Sequence, residues 1–288
     1  TLEGEARVRL PGERPEPLRL LNPESAELAT MRTTLRETLL RTLHRNERVW
    51  RGPLSLFEMG RVYLDRGEGV GLPEEREMVA GVVAGPLDRL QWQEGRGASG
   101  FYDAKGPVEA LLEALGVRAA FQPAEDATFT AGRCARVVVP SAGLARVGVV
   151  GEVAPDVLAA LDIDVAPVAM FELDLGALGR LPELRPEAAA GYEPFGRFPE
   201  SARDLALLVD RGVLAADVTA LVERNRLTAG ATVFDVYEGG GIPSGKKSLA
   251  LRVVYRAPDR TLTADEVSKA ESSILRALER QLGAQLRS

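Results

Sequence analysis

A single histidine, His44, and a single cysteine, Cys134, stand in a chain of 288 residues. One cysteine forms no internal disulfide and fits a reducing compartment. One histidine leaves a Ser–His–Asp triad or a His-rich metal centre almost nothing to be built from. No apolar run approaches the ~20 residues of a membrane span. No basic head followed by an apolar core marks a secretory signal. A cytoplasmic protein without membrane contact is therefore expected. Internal repeats are absent, and the alanine triplet at 188–190 is the only low-complexity segment.

What is present is ordinary for a globular chain: 45% hydrophobic and 27% charged residues, at a length that suggests two domains. The net charge of -6 is uneven. Residues 192–288 hold 14 Lys and Arg against 13 Asp and Glu, so the acidity belongs to residues 1–191, with 22 against 29. Within the near-neutral part, Lys246, Lys247, Arg252, Arg256 and Arg260 crowd one stretch. Phosphate contacts respond to local charge rather than to the sum, so this stretch is the first candidate for a polyanion-binding face.

A boundary falls in LGRLPELRPEAAAGYEPFGRFPE, residues 178–200, where proline and glycine stop regular structure. Residues 1–180 then form one domain, 181–191 a linker and 192–288 a second domain. In the first, Asn22–Pro23 reads as a cap and first-turn proline. Leu28, Met31, Leu35, Leu39, Leu43 and Val49 follow at near-helical spacing, as one helix or as two with a restart at Thr33. Strands are predicted at 54–64, 77–86 and 168–175, with a hairpin through CARVVVP and ARVGVVGEV around Ser141–Gly143. Helices are predicted at 104–117 and in APDVLAALDI. After the linker the order is strand, helix, strand, strand, helix, strand, with Thr263 and Glu266 as a capping box on the last helix. That β-α-β-β-α-β order is ferredoxin-like: a four-stranded sheet with both helices on one face.

Side-chain parity then says what the uncovered face carries. Leu205, Leu207, Val209, Leu249, Leu251, Val253 and Tyr255 turn to the helices. Asp204, Ala206, Leu208, Ser248, Ala250 and Arg252 turn out. Asp235 and Tyr237 share that outer face, opposite to Phe234 and Val236, and Arg287 joins from the last strand. A flat platform with an aromatic ring, hydrogen-bonding groups and cations suits unstacked RNA bases. The simpler alternative is that Tyr237 caps a sheet and the lysines are a solvated rim. Elsewhere Cys134 reads as a small buried residue, His44 as packing or surface, and Gly239–Gly241 as a hairpin loop rather than a phosphate cradle. Arg203 and Asn225 are too isolated for an acylphosphatase site.

FPESARDLALLVD, FDVYEG, KKSLALRVVYR and DRTLTADEV, in that order between about Tyr192 and Arg287, resemble the anticodon-binding ferredoxin-like domain of the bacterial phenylalanyl-tRNA synthetase β-subunit family. LLNPESAELATMRTTLRETLLRTLHRN, LFEMGRVY, FYDAKGPVEALLEALG, AGRCARV and GEVAPDVLAALDI…VAMFELDL resemble that family's catalytic-like module. AGRCARV departs from it by lacking a His-Pro pair before Gly-Arg. The family's N-terminal, editing and DNA-binding-like domains have no counterpart, so a C-terminal fragment is expected. The fold class implied is α+β: a class II synthetase-like mixed α/β module with an antiparallel sheet, then a βαββαβ ferredoxin-like domain.

The resemblance implies an aminoacyl-tRNA ligase of two α and two β subunits that joins phenylalanine to tRNA(Phe) using ATP and Mg2+. Class II catalytic modules clamp ATP with arginines on two strands, because cations must neutralise the reacting phosphates. LSLFEMGRVYL has no Arg-x-Glu, and VAMFELDLGAL offers Glu172 and Asp174 where the second arginine is expected. The resemblance thus implies a module that supports the α subunit, with no catalytic residue, cofactor or metal of its own. Glu152 and Asp156 read as surface acids rather than a hydrolase pair. The implied RNA-binding residues are Ala206, Asp235, Tyr237, Lys246, Lys247, Ser248, Arg252 and Arg287. The helices in 22–49 are expected at or beneath the α-subunit interface. The alternative is a free-standing ferredoxin-like protein that binds RNA or a small regulatory molecule, which gel filtration with a ligand-shift experiment would separate.

Overall fold

The computed structural model describes residues 17–25, 29–50, 52–67, 71–85, 100–181, 184 and 198–287. The chain separates into two compact units, Thr1–Gly191 and Tyr192–Ser288. Most of the 178–200 boundary stretch, with nearly all of the proposed linker 181–191, lies outside the described residues, but 178–181 does not. Leu178 and Leu181 are buried in the first unit's core, so regular packing runs past the first glycine of that stretch.

In the first unit, helix α1 (Arg36–Glu47) precedes strands β1 (Leu54–Leu64) and β2 (Glu74–Ala84), then helix α2 (Phe101–Ala114). Strands β3 (Ala120–Pro123), β4 (Phe129–Val139) and β5 (Ala145–Val153) follow, then helix α3 (Pro155–Ala160), strand β6 (Val168–Asp174) and helix α4 (Leu175–Gly179). The six strands form one fully antiparallel sheet in the order β1-β2-β6-β5-β4-β3. Its central strands are apolar on both faces because both are covered. Met78, Ala80, Val82 and Met170 join Leu35, just before α1, and Leu39 and Leu43 of α1 in one cluster. Val79, Phe171 and Leu173 join Val108 and Leu112 of α2 in the other. Gly81 stands opposite Phe171 in register, and a Cβ there would run into that ring.

Two expectations change here. The Asn22–Pro23 helix start is not formed: Arg19 and Thr30 make an antiparallel bridge, and the helix begins only at Arg36. Leu28 falls outside the described residues. Val49, counted in the helical stripe, lies beyond the helix and is exposed, whereas Leu35, Leu39 and Leu43 lie in this unit's core, beneath its surface. The other predicted elements occur within a few residues of their expected ends, and β3 and α4 were not foreseen.

In the second unit, strand β7 (Ser201–Asp210), helix α5 (Ala215–Glu223), strands β8 (Thr228–Tyr237) and β9 (Lys246–Tyr255), helix α6 (Ala264–Leu282) and strand β10 (Gln285–Leu286) follow in order. The sheet runs β10-β7-β9-β8, all antiparallel. Leu205, Leu207, Val209, Leu249, Leu251, Val253 and Tyr255 are buried against Val218, Val222, Val267, Ile274 and Leu278 of the helices. The capping box is formed: Thr263 Oγ1 accepts from Glu266 N, and Glu266 Oε2 accepts from Thr263 N. This is the ferredoxin-like arrangement, with one sheet face open.

Candidate nucleic-acid interface

Register across the open face places the candidate residues in rows. Asp235, Ala250 and Ala206 lie side by side on β8, β9 and β7, and Arg287 N donates to Ala206 O. This row has a floor of two methyl groups with a carboxylate at one edge and the Arg287 backbone at the other. Tyr237, Ser248 and Leu208 form the row on one side; Thr232, Arg252 and Asp204 form the row on the other. Rows on one face of a sheet are two residues apart, about 7 Å. The alanine floor therefore sits in a trough roughly 13 Å between its flanking rows, wide enough for a flat base.

Tyr237 is the aromatic wall. Its Oη donates to Gly240 O at 3.2 Å, and the Arg287 guanidinium stands 5.7 Å from its ring centre. Arg287 enters from the opposite edge, so its side chain passes over β7 and β9. Ser248, predicted to face a ligand, lies below that reach and is only 5% exposed. It contacts no incoming base while Tyr237 and Arg287 keep these positions.

The second wall was not foreseen. Val233 pairs with Leu251 and Asp235 with Ala250, which leaves Phe234 as an extra residue in a β-bulge. Simple parity turned Phe234 away from Asp235 and Tyr237. Instead it is exposed, and the Arg252 guanidinium lies 5.8 Å from its ring centre. The signal was in the valines: Val233 and Val236 take the inner register three residues apart, which an unbroken strand does not allow.

The basic stretch is corrected as well. Arg252 donates to both Asp204 carboxylate oxygens at 2.8 Å, raising its own pKa and holding Asp204 low. Lys246 lies 3.4 Å from Asp210, Arg256 2.7 Å from Glu200, and Arg260 contacts Glu266 at 2.6 Å and Asp259 at 3.1 Å. Lys247 stands opposite buried Val209, on the helix-covered side, whereas Lys246 is on the open side. Four of the five cations thus have carboxylates beside them, and the fifth faces the other way. The stretch is not a bare positive face.

In the first unit, Glu172 and Asp174 do not point free negative charge at a ligand. Glu172 is buried and accepts from Thr34 Oγ1 at 2.7 Å, Leu35 N at 2.8 Å and Arg36 Nε at 2.9 Å. Arg36 also donates to Asp126 at 2.9 Å and to Thr128 Oγ1. Burial acts to lower the Arg36 pKa, but the Glu172 and Asp126 carboxylates outweigh it and hold it raised. Asp174 caps α4 by accepting from Ala177 N. Cys134 is buried as expected; desolvation, then Asp126, pushes its thiol up to about 11.

Residues 4–175 match the model of the phenylalanyl-tRNA synthetase beta chain CLM domain, and residues 196–287 that of the ferredoxin-fold anticodon-binding domain. The chain belongs to the phenylalanyl-tRNA synthetase beta chain family. Among its relatives, the phenylalanine–tRNA ligase beta subunit of Syntrophus aciditrophicus is 36% identical over 280 residues, which are 96% of this chain and 34% of that protein. That of Geobacter sulfurreducens is 39% identical over 272 residues, covering 93% and 33%. That of Geobacillus kaustophilus is 38% identical over 277 residues, covering 94% and 33%. The chain spans about a third of the length of these curated relatives. The anticodon-binding family match coincides with the unit that carries the trough, and the CLM match with the six-stranded unit.

Proposed function

We propose that this chain is the C-terminal part of a phenylalanine–tRNA ligase β subunit that holds the tRNA(Phe) anticodon stem-loop and supports a catalytic α subunit. The observation that carries the reading is the trough: an alanine floor between Tyr237 and the Phe234–Arg252 pair, with Asp235 at one end and Arg287 reaching across to the Tyr237 wall. A flat base fits such a floor, an aromatic ring offers a stacking partner, and an edge carboxylate accepts from base amino groups. Stacking tolerates sequence, whereas Asp235 discriminates.

In this reading the first unit does not itself clamp ATP and Mg2+. Four of its described arginines are engaged by carboxylates: Arg32 by Glu58, Arg36 by Glu172 and Asp126, Arg61 by Glu75, and Arg133 by Glu152. Among the described residues no cluster of three or more His, Cys, Asp or Glu is placed to hold a metal. Adenylation is accordingly assigned to the α subunit, in a complex of two α and two β chains. Exposed Phe57 and Met59 on edge strand β1, with Tyr102 on α2, offer apolar surface for that partner. Among the described residues no helix is long and apolar enough to cross a membrane, and a cytoplasmic setting goes with this role.

The test measures tRNA(Phe) binding to the α-bound protein, against tRNAs altered only in the anticodon. Asp235→Ala should relax discrimination among anticodon bases. Unchanged affinity and preference in both Tyr237→Ala and Asp235→Ala would show that the open sheet is not the reading face. Pyrophosphate exchange by this chain alone should stay at background.

A further inference from the structure

Further cations without a carboxylate partner lie on the other side of the second unit. A groove of about 640 Å³ runs between the end of α5 and α6. It exists because α6, with 19 residues, outruns α5, with 9, by roughly 15 Å at 1.5 Å per residue. The α6 stripe along the groove is small: Ala270, Ser273 and Ala277 recur at helical spacing and keep the floor low.

Arg224, Arg226, Arg260 and Lys269 line this groove, against one acid, Glu266. Glu266 is already bonded to Arg260 and to Thr263. Among the described residues Arg224, Arg226 and Lys269 form no ion pair, in contrast to Arg252 and Arg256 on the open face. Cations just past a helix C-terminus complement its dipole, which explains Arg224 and Arg226 without a ligand. It does not explain Lys269, near the positive end of α6 and exposed in the same groove.

We propose that this groove is a second RNA contact that grips phosphates while the sheet face reads bases. The proposal rests on the RNA-binding reading above. Charge complementarity selects a polyanion, and the anticodon-binding family match of the same unit selects RNA over an acidic protein segment. The groove then supplies affinity and salt dependence without sequence preference.

The experiment titrates a fluorescein-labelled tRNA(Phe) anticodon hairpin with the full chain across a salt series. Arg224→Ala/Arg226→Ala/Lys269→Ala should lower the slope of log affinity against log salt by about 2, at roughly 0.7–0.9 per lost phosphate contact. Anticodon preference should not change. Removing three charges elsewhere, with Arg41→Ala/Arg45→Ala/Arg48→Ala, should leave the slope alone. An equal flattening in that control, an unchanged slope in the groove variant, or no hairpin binding at all overturns the proposal. So does capture of polyglutamate with equal affinity. If Tyr237→Ala and Asp235→Ala change anticodon preference while the groove variant does nothing, the groove fails and the base-reading face stands. If only the groove variant has an effect, the groove stands and the base-reading face fails. Lys269→Glu, a surface change that leaves the core intact, should weaken binding more than Lys269→Ala.

Discussion

Arg287 and Tyr237 meet over the open sheet, 5.7 Å apart, although they come from strands at its opposite edges. The Arg287 guanidinium lies near the ring, where its charge is attracted to the π face. The hydroxyl holds the ring from the other side through Gly240 O. The ring is thus positioned before any ligand arrives, which reduces the ordering cost on binding.

Tyr237→Ala should weaken tRNA(Phe) binding by about ten- to hundredfold, because a base–aromatic stack is worth roughly 1–3 kcal/mol. Tyr237→Phe keeps the ring and should stay close to the unsubstituted protein. Filter binding of the three proteins decides this. Equal losses in Phe and Ala would assign the role to the hydroxyl instead of the stack.

The buried Arg36 gives a stability prediction. Arg36→Leu leaves Asp126 and Glu172 buried without their counter-ion, which should cost about 3–5 kcal/mol in urea unfolding. Arg36→Lys should also destabilise, because one ammonium cannot reproduce a planar fork that serves two carboxylates. Replacing all three by apolar residues should recover only part of the loss. Glu172 also accepts from Thr34 Oγ1 and Leu35 N, and those donors would lose their acceptor.

Local pattern made much of this legible. The alternation of Leu249, Leu251, Val253 and Tyr255 named the inner face of β9, and the Thr263–Glu266 box named the start of α6. Three features depended on contacts that periodicity does not encode. The bulge at Phe234 breaks parity in mid-strand. The pairing of Arg252 with Asp204 joins residues 48 positions apart. The Asn22 helix start yielded to a bridge between Arg19 and Thr30. Charge counted along the sequence located the cations correctly but not their partners, so the unpaired set at Arg224, Arg226 and Lys269 was missed.

Cys134 and Tyr255 predict an alkaline limb. Burial raises Cys134 to about 11 and Tyr255 to about 12, above their ordinary values of 9.0 and 10.0. A group whose pKa is raised by folding contributes full stability below its unfolded value and loses it as pH climbs through the folded one. Thermal stability should therefore decline above about pH 9, with the Cys134→Ala variant declining less between about pH 9 and 11. Native Cys134 should react with a thiol reagent only as fast as the protein opens. Rapid labelling of the folded chain would contradict its burial.

Glu266 sets the opposite limb and links it to the groove. The Thr263 backbone N–H, then the Arg260 guanidinium, hold its carboxyl down to about 2. Its folded pKa lies below its unfolded value near 4.3, so its contribution is present above that value and is lost as pH falls toward 2. Glu266→Gln keeps an acceptor for the capping box but removes the charge. The variant should melt below the unsubstituted protein near neutral pH, and the gap should close as pH falls through about 2, below which both side chains are neutral. A gap that stays constant across this range would mean the carboxylate's charge contributes nothing. Because Glu266 is the acid that lines the cationic groove, the same substitution frees Arg260 from one partner and makes the groove more positive. It should therefore tighten anticodon-hairpin binding and steepen its salt dependence while lowering stability. A structural cap with no bearing on RNA would lower the melting temperature and leave both binding quantities unchanged.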